Sequence, residues 1–417
     1  MKRIVILLFT ALCFNAVAQH VSDSAWDGRV RTAQLYREGE PLEAPLLTLG
    51  REGELLVLEF DLLETEARSL RWHVGHCDAD WRRDDLGPQE FMSGWNEGPI
   101  DSYDFSFTTL TDYVHYRLTL PDAMGSFTAS GNYALAVTDE ATGDTLLTRR
   151  FCVSEQAVRI DATVGRPYDG VALRERQEVD VALSVRDGMY LMLRPEYERV
   201  LVQQNGRQDN RRWLEFSGYD GGSLAYRFRR CNIFDAGNTF RFFDMSNLRT
   251  PMYNIVQVED LGGEITAFVR PCEDRSRGHY IAETVLPGGM KVNIWDRNRP
   301  QTEADYVWVM LSLPMEQPML EGEVHVCGAL TDWRLDESTR MDYNPRQRAY
   351  VKRLLLKQGY YAYQLLTKPM RSSEGETGRL EGNHHETPNR YTVYVYHREP
   401  SDRSDRLVAV RRLASGE

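Results

Sequence analysis

His76, Cys77, Asp78 and Asp80 stand within five residues of one another, in the run His76-Cys77-Asp78-Ala79-Asp80-Trp81. All four are residue types that can ligate a metal. On an extended strand His76 and Asp78 share a face while Cys77 points away. Zinc takes three or four converging ligands, and no second compact Cys/His group supplies the rest. Calcium-loop spacing around Asp78 and Asp80 is also absent. The run therefore reads as structural, with Trp72 and Trp81 packing and the two aspartates accepting from loop amides. Acid pairs such as Asp84-Asp85 and Glu178-Asp180 are expected by chance among 62 acidic residues. Nothing marks one of them as an acid held beside a base. The chain has no Gly-x-Ser-x-Gly elbow, no phosphate loop and no dinucleotide fingerprint. The sequence assigns no catalytic residue, metal or cofactor, and the protein reads as a non-enzyme.

Aromatic residues point to binding instead. Phe91, Trp95, Tyr103, Phe105 and Phe107 fall in a segment rich in turns and acids. Phe105 and Phe107 alternate and are expected in the core. Trp95 lies in Ser93-Gly94-Trp95-Asn96-Glu97-Gly98, which reads as a loop. An exposed tryptophan there is a contact anchor for a protein partner, so Gly94, Trp95 and Asn96 form the candidate partner-binding loop. The competing reading folds Trp95 back over a sheet edge.

These residues must be carried by strands. Leu56, Leu58 and Phe60 alternate, as do Tyr116, Leu118 and Leu120 with His115, Arg117 and Thr119 opposite, and Tyr133, Leu135 and Val137. Period two with polar alternates describes strands with one face on a core and the other in water. Turn signals separate them. The fold class is all-β, as tandem antiparallel β-sandwich domains of immunoglobulin-like or early-set type. Leu62 to Leu70 has enough apolar residues for one or two helical turns. The division expected is a signal peptide over 1–18, an N-terminal sandwich over 19–156 and a middle sandwich over 157–312. A Pro-containing connector over 313–319, a C-terminal early-set-like sandwich over 320–397 and a polar tail over 398–417 follow. The apolar island Leu407 to Val410 in the tail could add an edge strand.

The start of the chain is an address. Lys2 and Arg3 precede the apolar run Ile4 to Phe14, and Ala16-Val17-Ala18 closes it with small residues. That is a secretory signal peptide with Gln19 as the expected mature start. The run is too short to span a membrane. Removing it takes the formal charge from -12 to -14. Such a surface repels nucleic acid and anionic lipid at long range. Cys77, Cys152, Cys231, Cys272 and Cys327 remain after removal, too few for a disulfide scaffold of this length. They read as buried thiols, with one intrachain bridge left open.

Several stretches together resemble a known family. They are Arg31-Thr32-Ala33-Gln34-Leu35-Tyr36 with Gly39, the His76 to Trp81 run, Asp101 to Phe107, and His115-Tyr116-Arg117-Leu118. Gln204 to Asn210, Gly237 to Asp244 and Glu381 to Tyr391 follow in order. The chain resembles the type IX secretion system plug proteins of Bacteroidota, formerly a domain of unknown function. The resemblance implies a periplasmic protein held at the outer membrane through a protein partner, the very large β-barrel translocon of that system. It implies that the protein closes the periplasmic mouth of the pore. The acidic charge argues against a nucleic-acid partner, no second apolar stretch is long enough to span a membrane, and no small-molecule ligand is called for. The resemblance carries over no contact residues.

A second similarity lies near the end. Val326 to Trp333, Met341, Tyr350 and Gly359 to Tyr363 resemble early-set domains related to glycogen-binding modules. An aromatic at the Trp333 position there often belongs to a sugar platform. Leu330 stands where Phe is common, which weakens that implication. The sequence thus favours a plug subunit; the rival is a periplasmic or secreted carbohydrate-binding module with Trp333 central.

Overall fold

The structure, a computed structural model, describes residues 20–121, 125–189, 191–283 and 285–415. The expected signal peptide and the mature start at Gln19 lie outside the described residues. Strands dominate, and the two α-helices among the described residues are four residues each. Three two-sheet bodies account for the strands, apart from a two-stranded ribbon of Met92–Ser93 with Ser126–Phe127.

In the first body one sheet runs in the order Ser24–Ala25, Thr145–Ser154, Gly131–Asp139, Leu70–Cys77, Glu97–Pro99. Leu46–Thr48 adds in parallel to Thr145–Ser154. The facing sheet runs Val30–Arg37, Leu56–Leu62, Val114–Leu120, Ser102–Phe105. Phe60 and Tyr116 stack at 5.2 Å and Tyr133 and Phe151 at 5.1 Å in the core between them. Residues 63–69 form a connection between two strands and not the expected helical turns. Arg68 holds that connection through Asp139 at 2.7 Å and Glu64 at 2.5 Å. Alternation in this body is blurred for a reason. Asp61 and His115 on the outer face are buried by the third body, and Asn132, Ala134 and Ala136 are buried on the face turned to the middle body.

The other two bodies depart from the expected boundaries. Val158–Gly165, Arg176–Val185, Ser223–Tyr226 and Gly218–Asp220 form one middle sheet, joined by Ile233–Asp235. Its partner runs Arg212–Leu214, Glu198–Gln204, Arg390–His397, Arg406–Ala414. Val179, Val181, Val200, Val202, Val393 and Val395 share one core. The last strands of the expected C-terminal domain and of the expected polar tail therefore complete the middle body. The third body holds everything between. Arg241–Asp244, Met290–Val292 and Glu323–Cys327 all pair with Gly359–Lys368. The facing sheet runs Ile255–Asp260, Ile265–Val269, Tyr306–Pro314, Ala349–Lys357, Asp342–Asn344. The expected connector is a loop of this body. Pro314 ends a strand, the Met315 amide donates to Arg348 O at 2.8 Å, and the Met319 amide donates to the Tyr350 hydroxyl at 2.8 Å. The boundaries failed because alternation marks a strand without naming its neighbour, and pairing here joins residues almost 200 apart.

The chain crosses between the middle and third bodies twice, and the crossings are sealed with amides. Asn238 Nδ2 donates to Glu381 O at 2.7 Å, Asn389 Nδ2 to Ala236 O at 2.7 Å, and Asn205 Nδ2 to Asn389 Oδ1 at 2.7 Å. All three asparagines are buried. Irregular backbone taken from water needs such partners, because an orphaned peptide group costs a hydrogen bond.

Candidate functional site

The sandwich of the first body is unsealed along one edge. Ser102–Phe105 pairs only with Val114–Leu120 and ends its sheet. Tyr103 lies opposite Tyr116 and Phe105 opposite Val114 in register. Directly opposed residues share a face, and Tyr116 and Val114 are core residues. Tyr103 and Phe105 thus stand on the inner, apolar face of their sheet. The facing edge strand, Glu97–Pro99, is three residues long and does not cover them. Tyr103 is 44 % exposed and Phe105 52 %, with their rings 5.8 Å apart. Phe107 and Leu110 lie beyond the strand, 66 % and 70 % exposed, in a loop whose amides donate to Thr302 O at 2.9 Å and Asp305 Oδ1 at 2.6 Å of the third body. The expectation that Phe105 and Phe107 are core is therefore wrong: Phe105 obeys strand alternation but the opposite layer stops short, and Phe107 lies past the end of the strand.

Trp95 stands on the turn leading into Glu97–Pro99 and is 76 % exposed. It does not fold back over the edge. Its neighbours hold the turn: Gly94 takes a φ of +85°, and Asn96 donates Nδ2 to Val74 O at 3.0 Å and accepts from the Val74 amide at 2.7 Å. Asn96 thus anchors the turn to Val74, and among the described residues the Trp95 indole has no hydrogen-bond partner. Glu97–Pro99 and Ser102–Phe105 follow one another in the chain and end the two sheets of the first body. The open edge was missed at the sequence level because periodicity reports which residues share a face, not how far the opposing layer extends.

The other candidates resolve into structure. From inside the core His76 donates Nε2 to Ser130 O at 3.1 Å and meets Asp84 Oδ2 through Nδ1 at 2.5 Å. Asp78 accepts from the Asp80 and Arg82 amides at 2.9 and 2.8 Å, as expected for a turn. Asp80 instead pairs with Arg199 of the middle body at 3.1 Å. Among the described residues no group of three His, Cys, Asp or Glu side chains could hold a metal. Burial raises the carboxyls of Glu178 and Asp180, and their contacts include the amides of Tyr168 and Phe228. The five cysteines are free. Burial pushes the Cys77, Cys152 and Cys327 thiols up to about 12, so they stay protonated and inert.

Trp333 is not on an open face. It is half-buried where the three bodies meet, edge-on to Phe240 at 6.2 Å. A side chain at Gly288 would collide with its ring at 2.0 Å, so the indole is clamped against glycine backbone.

A family model described as the type 9 secretion system plug protein first domain matches residues 30–155, which are the first body. A hypothetical protein from Parabacteroides merdae ATCC 43184, solved as a crystal structure, is 31 % identical over 95 % of this chain and 100 % of its own, with a TM-score of 0.92. The chain belongs to the type 9 secretion system plug protein family. Membership gives it a periplasmic role in that secretion system and implies association with the outer-membrane translocon. The C-terminal domain of the Streptococcus pyogenes antigen I/II-family protein AspA is 7 % identical over 92 % of this chain and 99 % of that one, with a TM-score of 0.16, and carries no argument. No curated protein matches. The open edge lies inside the matched first domain.

Proposed function

We propose that this protein docks on the periplasmic mouth of the type 9 outer-membrane translocon and closes it when no substrate is passing. The observation that carries this reading is the plug first-domain match, which falls on the body that holds the open aromatic edge. Contact is made by the exposed side chains of this body: the Trp95 loop (Gly94, Trp95, Asn96) and the edge residues Tyr103 and Phe105. Exposed aromatics at a desolvated centre supply most of the energy of such contacts. Obstruction further requires a shape that does not yield. The three bodies are locked by buried contacts: Asp61 with Lys357 between the first and third, and Cys77, Trp81 and Ala134 against Leu201, Tyr396 and Leu407 between the first and middle.

The test is affinity purification of the tagged mature chain from detergent-solubilised outer membranes. A very large β-barrel is expected to come with it. Recovery of the protein alone, under conditions that keep the translocon intact, would overturn the proposal.

A further inference from the structure

Five arginines and three carboxylates line a cavity of about 540 Å³ where the three bodies meet. The pairing is uneven. Arg150 has Asp23 at 2.8 Å and Arg149 has Asp332 at 3.1 Å. Arg390 and Arg412 share one carboxylate, Glu43, at 3.1 Å each. Arg211 donates Nε to Gln208 O at 3.2 Å, and among the described residues no carboxylate lies within 4 Å of its guanidinium. Burial and the like charge of Arg150 hold Arg211 below the usual arginine range. A local surplus of cations is therefore kept in a partly desolvated space, in a chain whose formal charge is -12. Composition does not produce that surplus, and an excess of one charge sign held in a partly desolvated space is destabilising.

We propose that this junction cavity binds a small oxyanion, a carboxylate or phosphate group carried on a compact body. Guanidinium groups present planar forks of donors that match both groups. The volume is that of a small-molecule site. The body of the ligand has an apolar wall to rest on, formed by Leu42, Tyr394 and the clamped Trp333 ring. Arg149 and Arg150 come from the first body, Arg211, Arg390 and Arg412 from the middle body, and Trp333 from the third. An occupant would tie all three together.

Thermal unfolding of the full mature chain in citrate, in inorganic phosphate and in sodium chloride of equal ionic strength tests this. A saturable rise of the midpoint is expected in citrate or phosphate, the responding arm naming the group. Arg211→Gln should weaken the apparent affinity roughly tenfold or more, the loss of a hydrogen bond to a charged group. Gln208→Glu, which puts a carboxylate into the cavity and removes no arginine, should do the same if Arg211→Gln folds poorly. Arg159→Gln, outside the cavity, should keep the full response. A rise no larger than that in chloride, one that survives both cavity variants, or one that Arg159→Gln abolishes equally would overturn the proposal.

Discussion

At Trp95 a large apolar side chain stands in water on a turn whose backbone is already hydrogen-bonded to Val74. Removing the indole leaves the turn intact, so Trp95→Ala should change stability by less than about 0.5 kcal/mol. Recovery of the barrel in the pull-down should fall, with affinity reduced roughly thirtyfold if the indole is a contact centre. Unfolding of the variant would show the residue to be structural. His397 belongs to the opposite kind. Its ring is buried, which lowers its pKa, but the Glu198 carboxylate at 2.8 Å outweighs burial and holds the imidazole above its ordinary range. A raised folded-state value stabilises fully below the unfolded value of about 6.5 and is lost as pH rises through the folded value. The urea midpoint should therefore decline as pH is raised above about 6.5, and His397→Gln should flatten that decline.

Among the elements, the strand Arg406–Ala414 shows most clearly how partners differ from patterns. Its composition is that of a polar tail with a short apolar island. In the structure it pairs along its length with Arg390–His397 and turns Leu407 toward the first body and Val408 into the middle core. Leu407→Ala should cost about 2–5 kcal/mol in equilibrium unfolding, the range for emptying a buried leucine site. An unchanged midpoint would mean that the strand is peripheral. The edge strand Ser102–Phe105 shows the converse. Its aromatics read as core from alternation, and they do stand on the core face. They are exposed because the neighbouring layer supplies only Glu97–Pro99 there.

For the molecule as a whole, the decisive group is Asp61. It accepts from Lys357 Nζ at 2.5 Å, the Tyr306 hydroxyl at 2.6 Å and His115 Nδ1 at 2.7 Å, joining the first and third bodies. Burial pushes its carboxyl up, but Lys357 and His115 outweigh burial and keep it ionised. Lys357→Met would leave Asp61 buried without its counter-charge and should cost about 3–5 kcal/mol. The double variant Asp61→Leu/Lys357→Met should recover most of that loss, because two apolar residues carry no desolvation penalty. Failure of the double variant to recover would mean that the pair sets the geometry of the bodies beyond its own energy.

Strand content and the turns between strands follow from local chemistry: side-chain alternation and turn-forming residues. These depend on neighbours within a few positions, so the amino-acid order alone determines them. Which strands share a sheet, where one layer falls short of the other, and how five arginines come to face one cavity depend on contacts between residues hundreds of positions apart. Alternation is satisfied equally well by any partner strand, so only the folded chain, by burying Asp61, Asn389 and Leu407 at the contacts between bodies, decides among them.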